Sequence, residues 1–169
     1  MRTPGFLTSI YHFIFSSRVM SPVWTVARVY LGYEWAIAGY HKVLNSVWVG
    51  STAGGAITGF VNEALGKTVG EHPDVSVWYA WFLQHAVLPH ANTWSHAIAY
   101  GEVLVGIGLI LGAFTFLAAF FGAFMNVNYL LAGTVSSNPV MLVLAILIML
   151  AHRIAGYIGL DYYILKTGR

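Results

Sequence analysis

Long apolar runs separated by short polar stretches give this chain its pattern. Four of these runs lie at about residues 22–44, 94–111, 115–132 and 139–163. A helix that crosses a bilayer needs about 20 mostly apolar residues, within a range of about 17 to 25. The pattern therefore predicts an all-α integral membrane protein, built as a four-helix transmembrane bundle with extra interfacial or re-entrant helices in its long first loop.

The first run carries the most informative polar positions. At helical spacing, Arg28, Trp35 and Lys42 fall on one stripe, together with two glycines. Glu34 and His41 fall on a second stripe of the same helix. A charge at the centre of a spanning helix costs roughly 2.5–3.5 kcal/mol on insertion scales, so it needs a partner or water inside a bundle. These residues therefore either hold the helices together or line a site.

Two shorter apolar segments are predicted to lie at the membrane surface. Residues 6–15, between Arg2 and Arg18, are too few to span, and no signal-peptide cleavage site follows them, so we expect an interfacial helix. Residues 77–88 form a helix of only about 18 Å, against a hydrocarbon core of about 30 Å. We expect Pro89 to end this segment, which would cover the outer mouth of the bundle.

Each of the other three runs sets a polar group beside small residues: Glu102 in the second, Asn126 and Tyr129 in the third, and His152 in the fourth. Small residues let helix backbones approach closely, and a polar side chain can then bond across the gap. The pattern fits ordinary helix packing and a functional site equally well.

Depth in the membrane separates some of these polar residues. Counting at about 1.5 Å per residue places Glu34, Glu102 and Asn126 near the midplane. Arg28 lies about one and a half turns closer to the cytoplasm. We therefore predict that Arg28 and Glu102 form a buried ion pair, because pairing would keep both groups charged without water. The partner of Glu34 is left open between Asn126, His152 and a tyrosine.

Composition supports lipid as the solvent of this chain. Its 169 residues are 58% hydrophobic and 8% charged, whereas about 25% is usual in soluble domains. This length predicts a single membrane domain over residues 1–169. The net charge of +2 is too small to indicate a nucleic-acid partner. Cysteine is absent, which excludes disulfides and thiolate metal sites, so electron transfer would need a bound cofactor or a partner subunit.

The distribution of charge predicts the orientation. Cations cluster near one set of helix ends, at Arg2, Arg18, Arg153, Lys166 and Arg169. The long loop at the other ends carries most of the acids, so both termini are predicted to be cytoplasmic in a multi-pass protein of the cell membrane.

The histidines are candidate ligands for a haem or a metal ion. Two histidines near the outer helix ends could ligate a haem from opposite sides. However, the chain has no C-x-x-C-H attachment and no H-x-x-x-H pair on a helix. Neither a haem nor a metal site is therefore expected.

Three stretches in a fixed order carry a family resemblance: G-Y-H-K at residues 39–42, G-E-V-L-V-G-I-G-L-I-L-G-A-F-T-F-L-A-A at 101–119, and N-V-N-Y-L-L-A-G-T-V-S-S-N-P at 126–139. From about residue 22 to residue 163 the chain resembles the DoxX-like integral membrane proteins, a family that includes the DoxD subunit of thiosulfate:quinone oxidoreductase. The positions that match the family pattern are Arg28, Gly39, Lys42, Glu102 and Asn126. The resemblance implies a four-helix membrane bundle and a link to quinones.

The first functional hypothesis is a membrane subunit that binds a quinone-like isoprenoid and serves a redox partner. Glu102, Arg28 and Glu34 are the predicted catalytic residues. A quinone that takes two electrons also takes two protons, so Glu102, Glu34 or a nearby histidine is the predicted proton donor. Six further residues are predicted to contact the quinone: Lys42, His41, Trp35, Asn126, Tyr129 and His152. The alternatives are a non-catalytic membrane adaptor that scaffolds a partner protein, and a small transporter. Association of the chain with copies of itself is left open.

Overall fold

The computed structural model describes the backbone of residues 5–167 and the side chains of residues 5–164. These residues form helices and turns, and no strand occurs among them, so the all-α prediction is confirmed. The helices are α1 (Phe6–Ser16), α2 (Ser21–Val43), α3 (Gly55–Gly66), α4 (Val77–Phe82), α5 (Ala91–Leu111), α6 (Thr115–Leu131), α7 (Asn138–Leu150), α8 (His152–Ala155) and α9 (Leu160–Thr167).

The antiparallel pair α2 and α5 is the most extensive helix contact in the fold. Glycines make the contact close. A Cβ atom added to Gly32 would lie 2.9 Å from the carbonyl oxygen of Gly106. At Gly39 it would lie 2.6 Å from the backbone nitrogen of Val103. The glycine stripe of the first run is therefore the side on which α2 meets its neighbour backbone to backbone.

The last predicted helix, residues 139–163, is not continuous. α7 ends at Leu150, α8 is a single turn, and residues 156–159 are not helical before α9 begins. Two glycines in this break permit close approach. A Cβ atom at Gly156 would lie 2.6 Å from an oxygen of Asp161, and one at Gly159 would lie 2.9 Å from the Cα atom of Gly112. The prediction of one uninterrupted helix was wrong because the chain folds back here onto the turn between α5 and α6.

The segment at residues 77–88 joins α5 without a break, which corrects the prediction that Pro89 ends it. α4 continues through a π-helical turn, Leu83–Val87, and a 3₁₀ turn, Leu88–His90, into α5. The result is one helical run of 35 residues, Val77–Leu111. Pro89 lies in the first turn of the 3₁₀ segment, and the changes of helix type around it accommodate its missing N–H and its bulk.

Two apolar cores hold these helices together. The larger core lies between α2, α5, α6, α7 and α8 and includes Leu31, Trp35 and Leu109. The smaller core lies between α3 and residues 77–88, which we call the α4 segment. It reaches Ala132, just beyond the end of α6. Residues 77–88 therefore cover one end of the bundle, together with α3.

Length and composition single out one run for membrane crossing. Among the described residues, Val77–Leu111 is the helical run long and apolar enough to cross a membrane by these two criteria. α1, α6 and α7 are shorter apolar helices. The predicted surface segment at residues 6–15 is helical, as α1, and Trp24 of α2 donates a hydrogen bond from its indole nitrogen to the carbonyl oxygen of Ile14 at 2.8 Å. Arg2 and Arg169, used to predict orientation, lie outside the described residues.

Candidate functional site

A buried carboxylate joins three helices near one end of the bundle. Glu102 of α5 is 1% exposed, and both of its oxygens accept a hydrogen bond. The ammonium group of Lys42, on α2, donates to Oε2 at 2.6 Å. The hydroxyl of Tyr129, on α6, donates to Oε1 at 2.7 Å. Both oxygens of this buried carboxylate are therefore satisfied by direct contacts, one from a cation and one from a neutral hydroxyl.

The alignment of α2 with α5 explains this partnership. Three close approaches fix it: Gly32 with Ile110, Ala36 with Gly106, and Gly39 with Val103. Glu102 is therefore level with residue 40 of α2, and Lys42 lies within reach. Arg28 is twelve residues further back, about 18 Å along the helix axis. The predicted Arg28–Glu102 pair is wrong, because counting depth along each helix separately put the two groups about one and a half turns apart, whereas the alignment of α2 with α5 puts them about three turns apart.

Arg28 instead binds backbone carbonyls at the opposite end of α2. Its side chain is buried, at 1% exposure. Four of its N–H groups have acceptors: the carbonyl oxygens of Ala155 at 3.0 Å, Ile158 at 2.9 Å, Ile110 at 3.0 Å, and Leu109. These oxygens belong to the last turn of α5 and to the break after α8, where helical partners are lacking. A cation is well suited to such helix C-termini.

Asp161 completes this end of the bundle. Its carboxylate accepts hydrogen bonds from the backbone N–H groups of Phe114 at 2.6 Å and Thr115 at 2.8 Å, at the start of α6. Its own backbone nitrogen donates to the carbonyl oxygen of Gly112 at 2.7 Å. Sequence reasoning missed Asp161 because it placed this residue inside a continuous helix. The glycines at 156 and 159, just before an aspartate, were the available signal for a break and a cap.

Near the Arg28 end, the hydroxyls of Thr25 and Thr115 are buried without a hydrogen-bond partner among the described residues. Between them and Glu102, three further polar atoms are buried in the same way. They are the indole nitrogen of Trp35 and both amide atoms of Asn126. Asn126 is fully buried and Trp35 is 2% exposed. A Cβ atom at Gly122, one turn before Asn126, would lie 2.9 Å from the Trp35 nitrogen, so the two polar groups occupy the same part of the bundle. Polar atoms buried in this way usually have a partner, which makes this a place for a further polar group to bind.

An apolar cavity of about 100 Å³ lies on the other side of Tyr129. Its walls come from α3, the α4 segment, α5 and α6, and they consist of Ile57, Phe60, Tyr79, Phe82, Leu83, Val87, Trp94, Ile98, Phe124, Met125, Asn128 and Tyr129. The hydroxyl of Tyr79 donates to Asn128, at 3.0 Å from its carbonyl oxygen and 3.1 Å from its side-chain oxygen. Tyr129 thus connects an aromatic cavity to the buried carboxylate.

The comparison with protein families decides the assignment. The sequence model of the DoxX family matches residues 23–135, two thirds of the chain. The chain belongs to the DoxX family. DoxX proteins are membrane-associated. No curated protein and no solved structure matches the chain. The part that matches the DoxX family includes Lys42, Glu102 and Tyr129, whereas α7, α8 and α9 lie beyond it.

Three of the predicted site residues bond to one another in this DoxX protein: Lys42, Glu102 and Tyr129. Trp35 and Asn126 lie below them and are close to each other. The others lie elsewhere. His41 is exposed and contacts the ring of Tyr40. His152 lies toward the Arg28 end, where its Nδ1 is 2.8 Å from the carbonyl oxygen of Met149. Glu34 is half-buried and makes no hydrogen bond or ion pair that the structure describes.

Trp48, in the loop after α2, also belongs to the site. The Lys42 ammonium lies 5.1 Å from the centre of the Trp48 ring, over its face. The hydroxyl of Ser95, on α5, donates to the Trp48 carbonyl oxygen at 2.7 Å. The loop after α2 is thereby attached to α5, and the ring covers the cation of the buried pair.

Proposed function

We propose that this chain crosses the cell membrane with four helical segments, α2, α5, α6 and the pair α7–α8, with both termini in the cytoplasm. Its membrane-associated family, its composition and the one-sided distribution of Lys and Arg support this arrangement. The α4 segment would lie at the outer surface, because Trp78 and Trp81 are 62% and 61% exposed there and tryptophan favours the headgroup region.

Within this membrane domain, the cavity beside Tyr129 would bind a quinone-like isoprenoid on behalf of a redox partner. The observation that carries the proposal is the position of Tyr129, which lines the cavity and donates to the buried Glu102. A cavity of comparable size, about 150 Å³, is enough to hold benzene in another protein. Phe124 lines the cavity and is 55% exposed, so an isoprenoid tail could leave past it toward lipid.

The polar cluster would supply protons during reduction. A quinone takes up two electrons and two protons to become a quinol. The electrons would come from a reductase partner, since the chain has no cysteine and therefore no thiol redox chemistry of its own. Protons would enter through Lys42, whose side chain keeps 21% exposure, and pass by Glu102 to the hydroxyl of Tyr129 at the cavity wall.

The test measures binding of a short-chain quinone to the purified protein in nanodiscs by equilibrium dialysis. Ile98→Phe adds a ring to the cavity wall, and Ile146→Phe makes the same change on α7 at a side chain that is 42% exposed. We expect Ile98→Phe to weaken binding at least tenfold, because overfilling a small cavity removes the space for the ligand. The control should bind like the wild type.

Equal affinity in all three proteins, or no saturable binding to the wild type, would contradict the proposal. Co-purification of a partner protein without any quinone would then favour the membrane adaptor.

A further inference from the structure

Glu34 is an acidic side chain of α2 that belongs to neither the Glu102 cluster nor the Arg28 cluster. It lies near the middle of the 23-residue α2, is only half-buried, and has no hydrogen bond or ion pair among the interactions that the structure describes. The neighbouring cations are occupied. Lys42 is paired with Glu102, and Arg28 is bonded to carbonyl oxygens.

Glu34 lies on a different side of α2 from the residues that face α5 and Glu102. Each residue of an α-helix turns by about 100°, so Glu34 lies about 140° around α2 from Gly39, which faces α5. Ala27, Ala38 and His41 share the side of Glu34, at spacings of seven, four and seven residues. Tyr30 and Ile37, which border this side, are 53% and 39% exposed. Ala27 packs against the larger core, so the outward part of this side consists of Glu34 and Ala38, beside Tyr30 and Ile37.

We propose that the α2 surface formed by Glu34 and Ala38, with Tyr30 and Ile37 at its border, is the docking site for a transmembrane helix of a partner protein that carries an arginine or lysine at mid-membrane depth. The proposal rests on the membrane crossing of α2 proposed above. A carboxylate facing hydrocarbon is costly unless a partner satisfies it, and polar residues of this kind are usual at helix contacts. Ala38, one helical turn from Glu34, allows the partner backbone to come close enough for a direct charged hydrogen bond.

A second copy of the chain fits this surface poorly. Symmetric contact through α2 would set one Glu34 carboxylate against another. The exposed cation Arg153 cannot supply the charge, because the hydroxyl of Ser21 bonds to the carbonyl oxygen of Ile154 and sets that turn level with the start of α2. Arg153 is thus about thirteen residues, or about 20 Å, from the depth of Glu34. A basic side chain from another protein matches the unpaired charge.

The test uses energy transfer in lipid vesicles between the donor-labelled protein and synthetic acceptor-labelled helices of leucine and alanine. One helix carries a central arginine, one a central glutamate, and one only apolar residues. We expect the arginine helix to associate about tenfold more tightly than the apolar helix. Glu34→Gln should remove this preference, and Glu34→Lys should transfer it to the glutamate helix. Glu63→Gln, which alters an exposed surface pair with Lys67, should leave the preference unchanged.

Three results would overturn the inference. The arginine and apolar helices could associate equally well, or Glu34→Gln could keep the preference, which would place the attraction elsewhere. Energy transfer between differently labelled copies of the chain, if Glu34→Gln abolishes it, would assign the surface to self-association.

Alkaline carbonate extraction separates this inference from the proposed function. A chain that carbonate removes from vesicles does not cross the membrane, and both ideas fail. A retained chain that does not discriminate between the helices refutes the docking site alone.

Discussion

The pair of Lys42 and Glu102 allows a quantitative prediction, because the two partners differ in exposure. Lys42→Met leaves a carboxylate that is 1% exposed with only the hydroxyl of Tyr129, so we expect a loss of about 3 kcal/mol, the lower end for a broken buried pair. Glu102→Gln leaves an ammonium group that is 21% exposed and can turn to water, so about 2 kcal/mol is expected. The double variant has no stranded charge and should also lose about 2 kcal/mol.

These values imply a coupling energy of about 3 kcal/mol, measured by a double-mutant cycle on unfolding in detergent. Unfolding is followed by near-ultraviolet circular dichroism. Additive losses in the double variant, near 5 kcal/mol, would show that the two groups do not interact and would refute the reasoning. Tyr129→Phe serves as the control, since it removes one neutral donor and leaves the ion pair, for an expected loss of about 1 kcal/mol.

The remaining predictions concern the packing that holds the site. Gly39→Ala places a Cβ atom 2.6 Å from a backbone nitrogen of α5 and should lower the free energy of unfolding by about 1–3 kcal/mol, whereas Gly59→Ala, with nothing within 4 Å, should be neutral or stabilising. Similar thermal midpoints for these two variants would contradict the close contact of α2 with α5. Asp161→Ala removes the acceptor of two N–H groups at the start of α6 and should cost about 2 kcal/mol in chemical unfolding. A loss below about 0.5 kcal/mol would show that this cap is not needed.

Helix periodicity was sufficient to predict much of the fold. The helices predicted at 22–44, 94–111 and 115–132 are present as α2, α5 and α6, with ends that differ by up to three residues. The sequence also predicted the buried side of α2, since Arg28, Trp35 and Gly39 share a stripe and are all buried. This agreement has a simple cause. A helix face follows from local sequence, because the turn per residue is fixed.

The relative heights of the helices could not be read from the sequence. Depth was counted along each helix separately, and that count could not reveal that Gly32 lies opposite Ile110. The offset is set by backbone contacts between glycines on both helices, which is a property of the pair. Arg28 and Lys42 were both recognised as buried cations of one stripe, but the choice of the partner for Glu102 depended on this offset.

The cavity was harder still to predict, because its walls come from four separate parts of the chain. Single-helix patterns identify Tyr129, on the inner side of α6, but Phe60 and Leu83 join it only after α3 and the α4 segment fold over the end of the bundle. Residues 77–88 were predicted to cover the outer mouth of the bundle, and Tyr79 and Phe82 of that segment line the cavity.

Arg28 and the Glu102 cluster differ in how many hydrogen-bonding groups remain unused. This difference indicates where a ligand would bind. Arg28 has four of its five N–H groups bonded to carbonyl oxygens of the same chain, so it stabilises helix ends and has little capacity left for a ligand. Between Arg28 and Glu102, Trp35 and Asn126 keep unpartnered polar atoms, and beside Glu102 the Lys42 ammonium uses one of its three donors in its bond to the carboxylate. A ligand that gains hydrogen bonds on binding therefore finds them beside Glu102, and the predicted catalytic role is better assigned to that end of the bundle than to Arg28.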